Sequence, residues 1–215
     1  MKYLYELIGT FFLFFTIGMT VLSPNVGLLA PLAIGSILAV MIFAGGHISG
    51  GHYNPAVSLA VYLRKKLSAD DLWKYWIAQI AGTVLAALLI LFFNDGKNIG
   101  TPLELNSLKA FLAEFLFTFA LCFVVLNVAT TNKTAGNSYF GWAIGFTVLA
   151  GAYAVGAISS AAFNPAVAIG LSIVKLAHWS NLWIYIIANF LGASAAAYIF
   201  NAAHADETEE MPRKV

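Results

Sequence analysis

Two copies of one tripeptide constrain this chain more than any other feature. Asn54-Pro55-Ala56 and Asn164-Pro165-Ala166 lie 110 residues apart, each inside apolar surroundings. Asn is a preferred N-cap and Pro is preferred at the first helical position, where its missing N–H is no loss, so each triplet reads as a helix start. The Asn side-chain carbonyl can then accept from the first-turn backbone, leaving its NH2 donors pointing away beside the positive end of the helix dipole. A lone triplet would be an ordinary cap, but here the flanks repeat as well. A shift of 110 carries Trp73 to Trp183, Tyr75 to Tyr185, Ala78 to Ala188 and Gly82 to Gly192, and upstream Gly46 to Gly156 and Ser49 to Ser159. With a small further shift, Glu6 and Thr10 pair with Glu114 and Thr118. The chain is an internal duplication.

Composition places that duplication in a membrane. Of 215 residues, 60% are hydrophobic and 10% charged, which excludes an ordinary soluble domain. Net charge is +1, so neither nucleic acid nor a basic membrane-surface role is indicated. The single cysteine, Cys122, sits in an apolar run and reads as packing; no Cys/His cluster has metal-ligand spacing, and no cofactor or metal is expected. The N-terminal apolar segment is longer than a signal-peptide core and lacks a convincing cleavage site, so it reads as an uncleaved first span.

Apolar spans fall at about 4–22, 31–46, 70–93, 107–130, 138–157 and 180–202. Two further segments, about 54–63 and 164–174, begin at the triplets and are too short to cross a hydrocarbon core of roughly 30 Å, so they read as half-helices. Each repeat holds three full spans and one half-helix, and an odd number of crossings inverts the second repeat relative to the first. The expected fold is all-α: six transmembrane helices plus two re-entrant half-helices in a 3+3 inverted repeat. One membrane domain covers 1–203, with repeat one at about 1–93, repeat two at about 107–203, and a polar tail at 204–215. The approaches Gly45 to Tyr53 and Val155 to Phe163 are expected to be irregular, and such backbone at membrane depth must be buried or line a water-filled cavity. With the N-terminus inside, eight basic residues (Lys2, Arg64, Lys65, Lys66, Lys74, Lys133, Arg213, Lys214) face three (Lys97, Lys109, Lys175), which predicts cytoplasmic termini in a multi-pass protein of the inner, plasma membrane. Trp73, Trp76, Trp179 and Trp183 are expected in an interfacial belt. The acidic stretch from Asp206 to Glu210 is expected to fray and is assigned no role.

Few polar residues are left to carry chemistry. Glu6 and Glu114 open paired spans; an intramembrane acid can relay protons, but without a second acid or a His nearby their symmetric placement suits bracing the re-entrant loops. His47 and His52 flank the first re-entrant approach, and their repeat counterparts are Ala157 and Ala162, so a vestibule or loop-bracing role is preferred to a metal site. The pairs Gly45-Gly46 and Gly50-Gly51 are not followed by Gly-Lys-Ser/Thr, which excludes a phosphate loop. Asn132-Lys133-Thr134 matches a glycosylation triplet by chance, since it falls in an inside loop.

With the paired triplets, six spans, His47-Ile48-Ser49-Gly50-Gly51-His52-Tyr53-Asn54-Pro55-Ala56-Val57 in the first half and Glu6-Leu7-Ile8-Gly9-Thr10-Phe11 in the first span, the chain resembles the aquaporin or major intrinsic protein family. The resemblance runs to the acidic tail. It implies a homotetramer in the lipid bilayer with one pore per protomer, passive conduction of water and small neutral solutes, no cofactor and no catalysis. It implies that Asn54 and Asn164 are the paired pore asparagines and that four positions, Ile34, Ala152, Ala161 and Val167, form the narrow outer filter. Water-selective members place a bulky aromatic, a His and an Arg there, and none is present; Val167 stands where the Arg follows the second triplet, and Ala168 where glycerol-conducting members carry Asp. The expected filter is wide and apolar, passing glycerol, urea or neutral metalloid hydroxides such as arsenous acid and excluding protons and ions. The alternatives are a strict water channel refilled by Phe163 or Tyr153, a proton-coupled transporter working through Glu6 and Glu114, and a structural membrane protein with a closed pore.

Overall fold

A computed structural model describes residues 1–23, 26–97 and 100–207. They form eight α-helices: α1 (Lys2–Leu22), α2 (Ala30–Ser49), α3 (Pro55–Leu63), α4 (Ala69–Phe93), α5 (Ser107–Ala129), α6 (Phe140–Ser159), α7 (Pro165–Ile173) and α8 (Leu182–Ala203), with no strand among the described residues. All but α3 and α7 are long and apolar enough to cross a membrane, and those two have nine residues each, about half a crossing. Helix starts follow local chemistry. Ser68 and Asn106 cap α4 and α5 by accepting from the N–H of Asp71 and Lys109, and Asn54 and Asn164 cap the half-helices in the same way.

Three helix pairs make the frame: α1 on α4, its repeat equivalent α5 on α8, and α2 on α6 across the pseudo-two-fold. Apolar surface gives no net drive to association in lipid, so close backbone approach at small residues has to supply the packing. A Cβ on Gly82 of α4 would collide with the Leu7 carbonyl of α1, and one on Gly192 of α8 with the Phe115 carbonyl of α5. Gly35 and Gly145 likewise abut across the α2–α6 crossing.

The two ends of the bundle are marked by polar contacts. At the end carrying the N-terminus and the close of α8, Lys2 pairs with Asp71 at 2.8 Å and Arg64 with Glu207 at 2.8 Å. At the opposite end the Tyr153 hydroxyl donates to the Leu28 carbonyl and His178 meets Glu104. Between them the outer surface is apolar, with Ile8, Phe12, Leu85, Leu88, Leu116, Leu191 and Tyr198 all exposed.

Two expectations are corrected. The approaches to the half-helices are mostly helical, because α2 runs to Ser49 and α6 to Ser159, leaving only 50–53 and 160–163 irregular. Glycine inside a helix costs only about 1 kcal/mol, and at Gly45 its small size is what leaves room for the Tyr53 side chain against α2. Trp76 is turned inward rather than presented to lipid: it is half-buried, and its indole N–H donates to the Pro55 carbonyl at 3.0 Å, against the first turn of α3. Trp73, Trp179 and Trp183 are exposed at helix starts.

Candidate functional site

The links entering the half-helices are built from left-handed backbone. Gly50, Gly51 and Tyr53 have φ of 89°, 64° and 48°, and their equivalents Ser160, Ala161 and Phe163 have 67°, 50° and 47°. A non-glycine residue pays about 1–2 kcal/mol for that conformation, so the second link especially has to be held in place.

Two carboxylates do the holding. Glu6 accepts from the Ser49 hydroxyl (2.7 Å) and the His52 N–H (2.9 Å) on Oε1, and from the Tyr53 N–H (2.7 Å) and the Gln79 amide (2.8 Å) on Oε2. Glu114 accepts the same set one repeat later: Ser159 (2.7 Å), Ala162 N–H (2.9 Å), Phe163 N–H (2.7 Å) and the Asn189 amide (2.9 Å). Both carboxylates are fully buried with every contact an incoming donor, which is how such a charge is tolerated away from water. Tyr75 and Tyr185 close each brace by donating to the Ser49 and Ser159 carbonyls. Gln79 and Asn189 were not singled out from sequence. The available signal was two amide side chains 110 residues apart inside apolar spans.

The braced links bring the two triplets together. Asn54 Oδ1 accepts from the Ala56 N–H at 2.8 Å, and Asn164 Oδ1 from Ala166 at 2.9 Å and Val167 at 3.4 Å. The NH2 groups are not wholly free: Asn54 donates across to the Phe163 carbonyl at 2.8 Å and Asn164 to the Tyr53 carbonyl at 2.9 Å. Each amide carries two N–H donors, so one ties the half-helices together and one remains for the lumen. Pro55, Ala56, Pro165 and Ala166 are buried at this junction.

A cavity of about 510 Å³ passes both asparagines. Ile34, Ala152, Ala161 and Val167 all line it, with Leu38, Ile144 and Val148 continuing the apolar wall, while the link residues 50–54 and 160–162 form the polar one. Phe163 and Tyr153 do not line it. Phe163 is turned away onto Phe117 with ring centroids 5.3 Å apart, and the Tyr153 hydroxyl is engaged at Leu28. His47, on the last turn of α2, is exposed and lines the cavity; His52 also borders it but is buried, with Nδ1 3.1 Å from the Ser58 hydroxyl and its ring against Tyr75. Glu6 and Glu114 are absent from the lining. No group of three His, Cys, Asp or Glu side chains among the described residues could hold a metal ion.

Residues 1–200 match the description of the major intrinsic protein family. The chain belongs to that family. Among its relatives, nodulin-26 of Glycine max is 35% identical over 210 residues, covering 93% of this chain and 76% of the relative, and aquaporin NIP1-1 of Arabidopsis thaliana is 37% identical over 216 residues, covering 93% and 72%. The aquaglyceroporin of Plasmodium falciparum superposes with a TM-score of 0.80 at 19% identity, over 97% of this chain and 98% of that one, and so shares the fold. Major intrinsic proteins are channels rather than enzymes, and this chain is a multi-pass membrane channel for water and small solutes.

Proposed function

We propose that the channel passes small uncharged solutes larger than water, of the size and polarity of glycerol, urea or arsenous acid, together with water, by diffusion down their gradients. The observation that carries this reading is the lining of the cavity at Ile34, Ala152, Ala161 and Val167, which offers no charge and no side-chain donor. Val167, in the first turn of α7, is one turn from its N-cap Asn164 and lines the same lumen, so the position one turn beyond the pore amide is short and apolar. Such a ring discriminates by diameter and by the cost of stripping water from the solute. A strict water channel needs an aromatic to refill that ring, and Phe163 and Tyr153 are both engaged elsewhere. A proton-coupled transporter needs an acid facing the lumen, whereas Glu6 and Glu114 are fully hydrogen-bonded behind it. The channel works in the inner membrane with both termini cytoplasmic, as a homotetramer with a pore in each protomer.

Proton exclusion follows from the two asparagines. A water between them gives its oxygen to both remaining N–H donors, so its hydrogens point outward and the hydrogen-bonded chain is interrupted, while the positive ends of α3 and α7 repel cations. The test is stopped-flow permeability of proteoliposomes to water, glycerol, urea and arsenous acid. Wild-type protein is expected to pass all four without collapsing a pH gradient, and Val167→Arg to cut the three larger solutes more than water. Water flux with exclusion of all three would overturn the reading.

A further inference from the structure

The repeat shows one residue whose burial packing does not require. Both half-helices end in the same turn: Lys65 and Lys175 have φ of 61° and 62°, and the N–H of Lys66 and Leu176 return to the Val61 and Leu171 carbonyls. The residue before each lysine is buried, and on α7 it is Val174 at 0% exposure. On α3 it is Arg64, a guanidinium at 1% exposure. The fold closes this corner with an apolar side chain in one repeat, so the charge in the other has a different purpose. A buried guanidinium is costly unless it is paired and hydrogen-bonded.

Its partner comes from the segment beyond α8. Arg64 Nη2 lies 2.8 Å from Glu207 Oε2, Nη1 donates to the Glu207 carbonyl at 3.2 Å, and the guanidinium lies over the Phe200 ring at 5.0 Å. The second carboxylate oxygen accepts from the Thr131 hydroxyl at 2.7 Å, and the Asn132 N–H approaches Oε2 at 3.4 Å. The Thr131 hydrogen bond first, then the Asn132 N–H and the charge of Arg64, hold the Glu207 carboxyl below the usual carboxylate range, so it is anionic at neutral pH. Thr131 and Asn132 line the cavity where it opens at the terminal side of the bundle, and Glu207 does not. The pull on Thr131 is therefore directed out of the lumen. Glu207 thus departs from the fraying expected of the stretch from Asp206 to Glu210, of which 208–210 lie outside the described residues.

We propose that residues 204–207 act as a strap, with Glu207 seated in a carboxylate cradle made by Arg64, Thr131 and Asn132, and that the docked strap holds the start of the α5–α6 connection back from the pore mouth. The strap joins the ends of α3 and α8 to one rim of the cavity, so its release lets Thr131 and Asn132 move inward and narrow that mouth. The consequence for flux rests on the channel reading, but docking itself is a separate observable.

Spin labels on cysteines replacing Lys133 and Asp206, in the full chain with Cys122→Ala, report the strap as an interspin distance in proteoliposomes. A single narrow intraprotomer distribution is expected with Glu207 intact, in tetramers assembled with an excess of unlabelled subunits. Glu207→Gln, which keeps shape and loses charge, should broaden it, and so should Thr131→Val, which removes the hydroxyl that donates to Glu207 and also accepts from the Lys133 N–H, so the Glu207 variant is the decisive one. Loss of one charge-assisted hydrogen bond shifts the docked-to-released ratio by roughly tenfold. Arg64 is left unchanged, because removing it could prevent folding. In unlabelled protein the same two variants should lower glycerol permeability more than water permeability. Equally narrow distributions in all three proteins would overturn the strap. Broadening with unchanged glycerol flux would overturn control of the mouth while leaving the channel reading intact, and wild-type protein impermeable to glycerol would overturn that reading instead.

Discussion

At the scale of single residues, the pore rests on amides that do two jobs with two hydrogens. Asn54 and Asn164 each cap a half-helix through the carbonyl and spend one N–H on the carbonyl of the opposite link. Replacing Asn54 with Asp keeps the cap and loses both donors. It sets a carboxylate oxygen against the Phe163 carbonyl, in place of the amide nitrogen that donated to it at 2.8 Å, and adds a negative charge that offsets the helix dipoles. Asn54→Asp is therefore expected to cost about 1–3 kcal/mol of stability and to raise cation leak, measured by thermal unfolding in detergent and by dye-reported flux in vesicles. An unchanged leak would show that the amides do not set the electrostatic barrier. The capping role was legible in sequence because Asn-Pro is a local signal. The cross-bond was not, because its acceptors, Tyr53 and Phe163, are backbone carbonyls whose direction depends on left-handed links that only the folded braces impose.

At the scale of elements, helix lengths follow from hydropathy, and the half-helices follow from caps with too few apolar residues to span. Helix ends were less legible: glycine and serine in Gly45–Ser49 read as loop, yet they serve as the face on which α2 packs. Closeness of packing is also where repeat symmetry makes a quantitative prediction. Gly82 and Gly192 occupy the same place in the α1–α4 and α5–α8 crossings, each against a backbone carbonyl rather than a flexible side chain. A backbone atom cannot rotate away, so Gly82→Ala and Gly192→Ala must push the helices apart. Each is expected to cost about 1–3 kcal/mol, seen as a lower unfolding temperature, whereas Gly156→Ala, with nothing within 4 Å of its added methyl, should be tolerated. Equal behaviour of the three variants would mean that these crossings tolerate more space than the contacts indicate.

At the scale of the molecule, the duplication fixes the architecture and the charges choose its direction. Inversion puts α3 and α7 into the bundle from opposite faces, so the turn after each reports a different side of the membrane. The contacts agree on which groups share an end: Lys2 with Asp71, and Arg64 with Glu207 and thence Thr131, all lie with the chain termini. Arg64, Lys65, Lys66 and Lys74 therefore add to Lys2 and Lys133 on one face, while Lys97, Lys109 and Lys175 belong to the other. Lysine and arginine near span ends are retained on the cytoplasmic side during insertion, so this imbalance predicts an orientation with the N-terminus, the end of α8 and the strap inside the cell. Lys65 and Lys97 are both exposed, which makes them suitable reporters. With Cys122 removed, a cysteine in place of Lys97 should react with an impermeant thiol reagent added to intact cells, and one in place of Lys65 only after the membrane is opened. Labelling of position 65 from outside would reverse the orientation and place Glu207 and its cradle at the extracellular mouth.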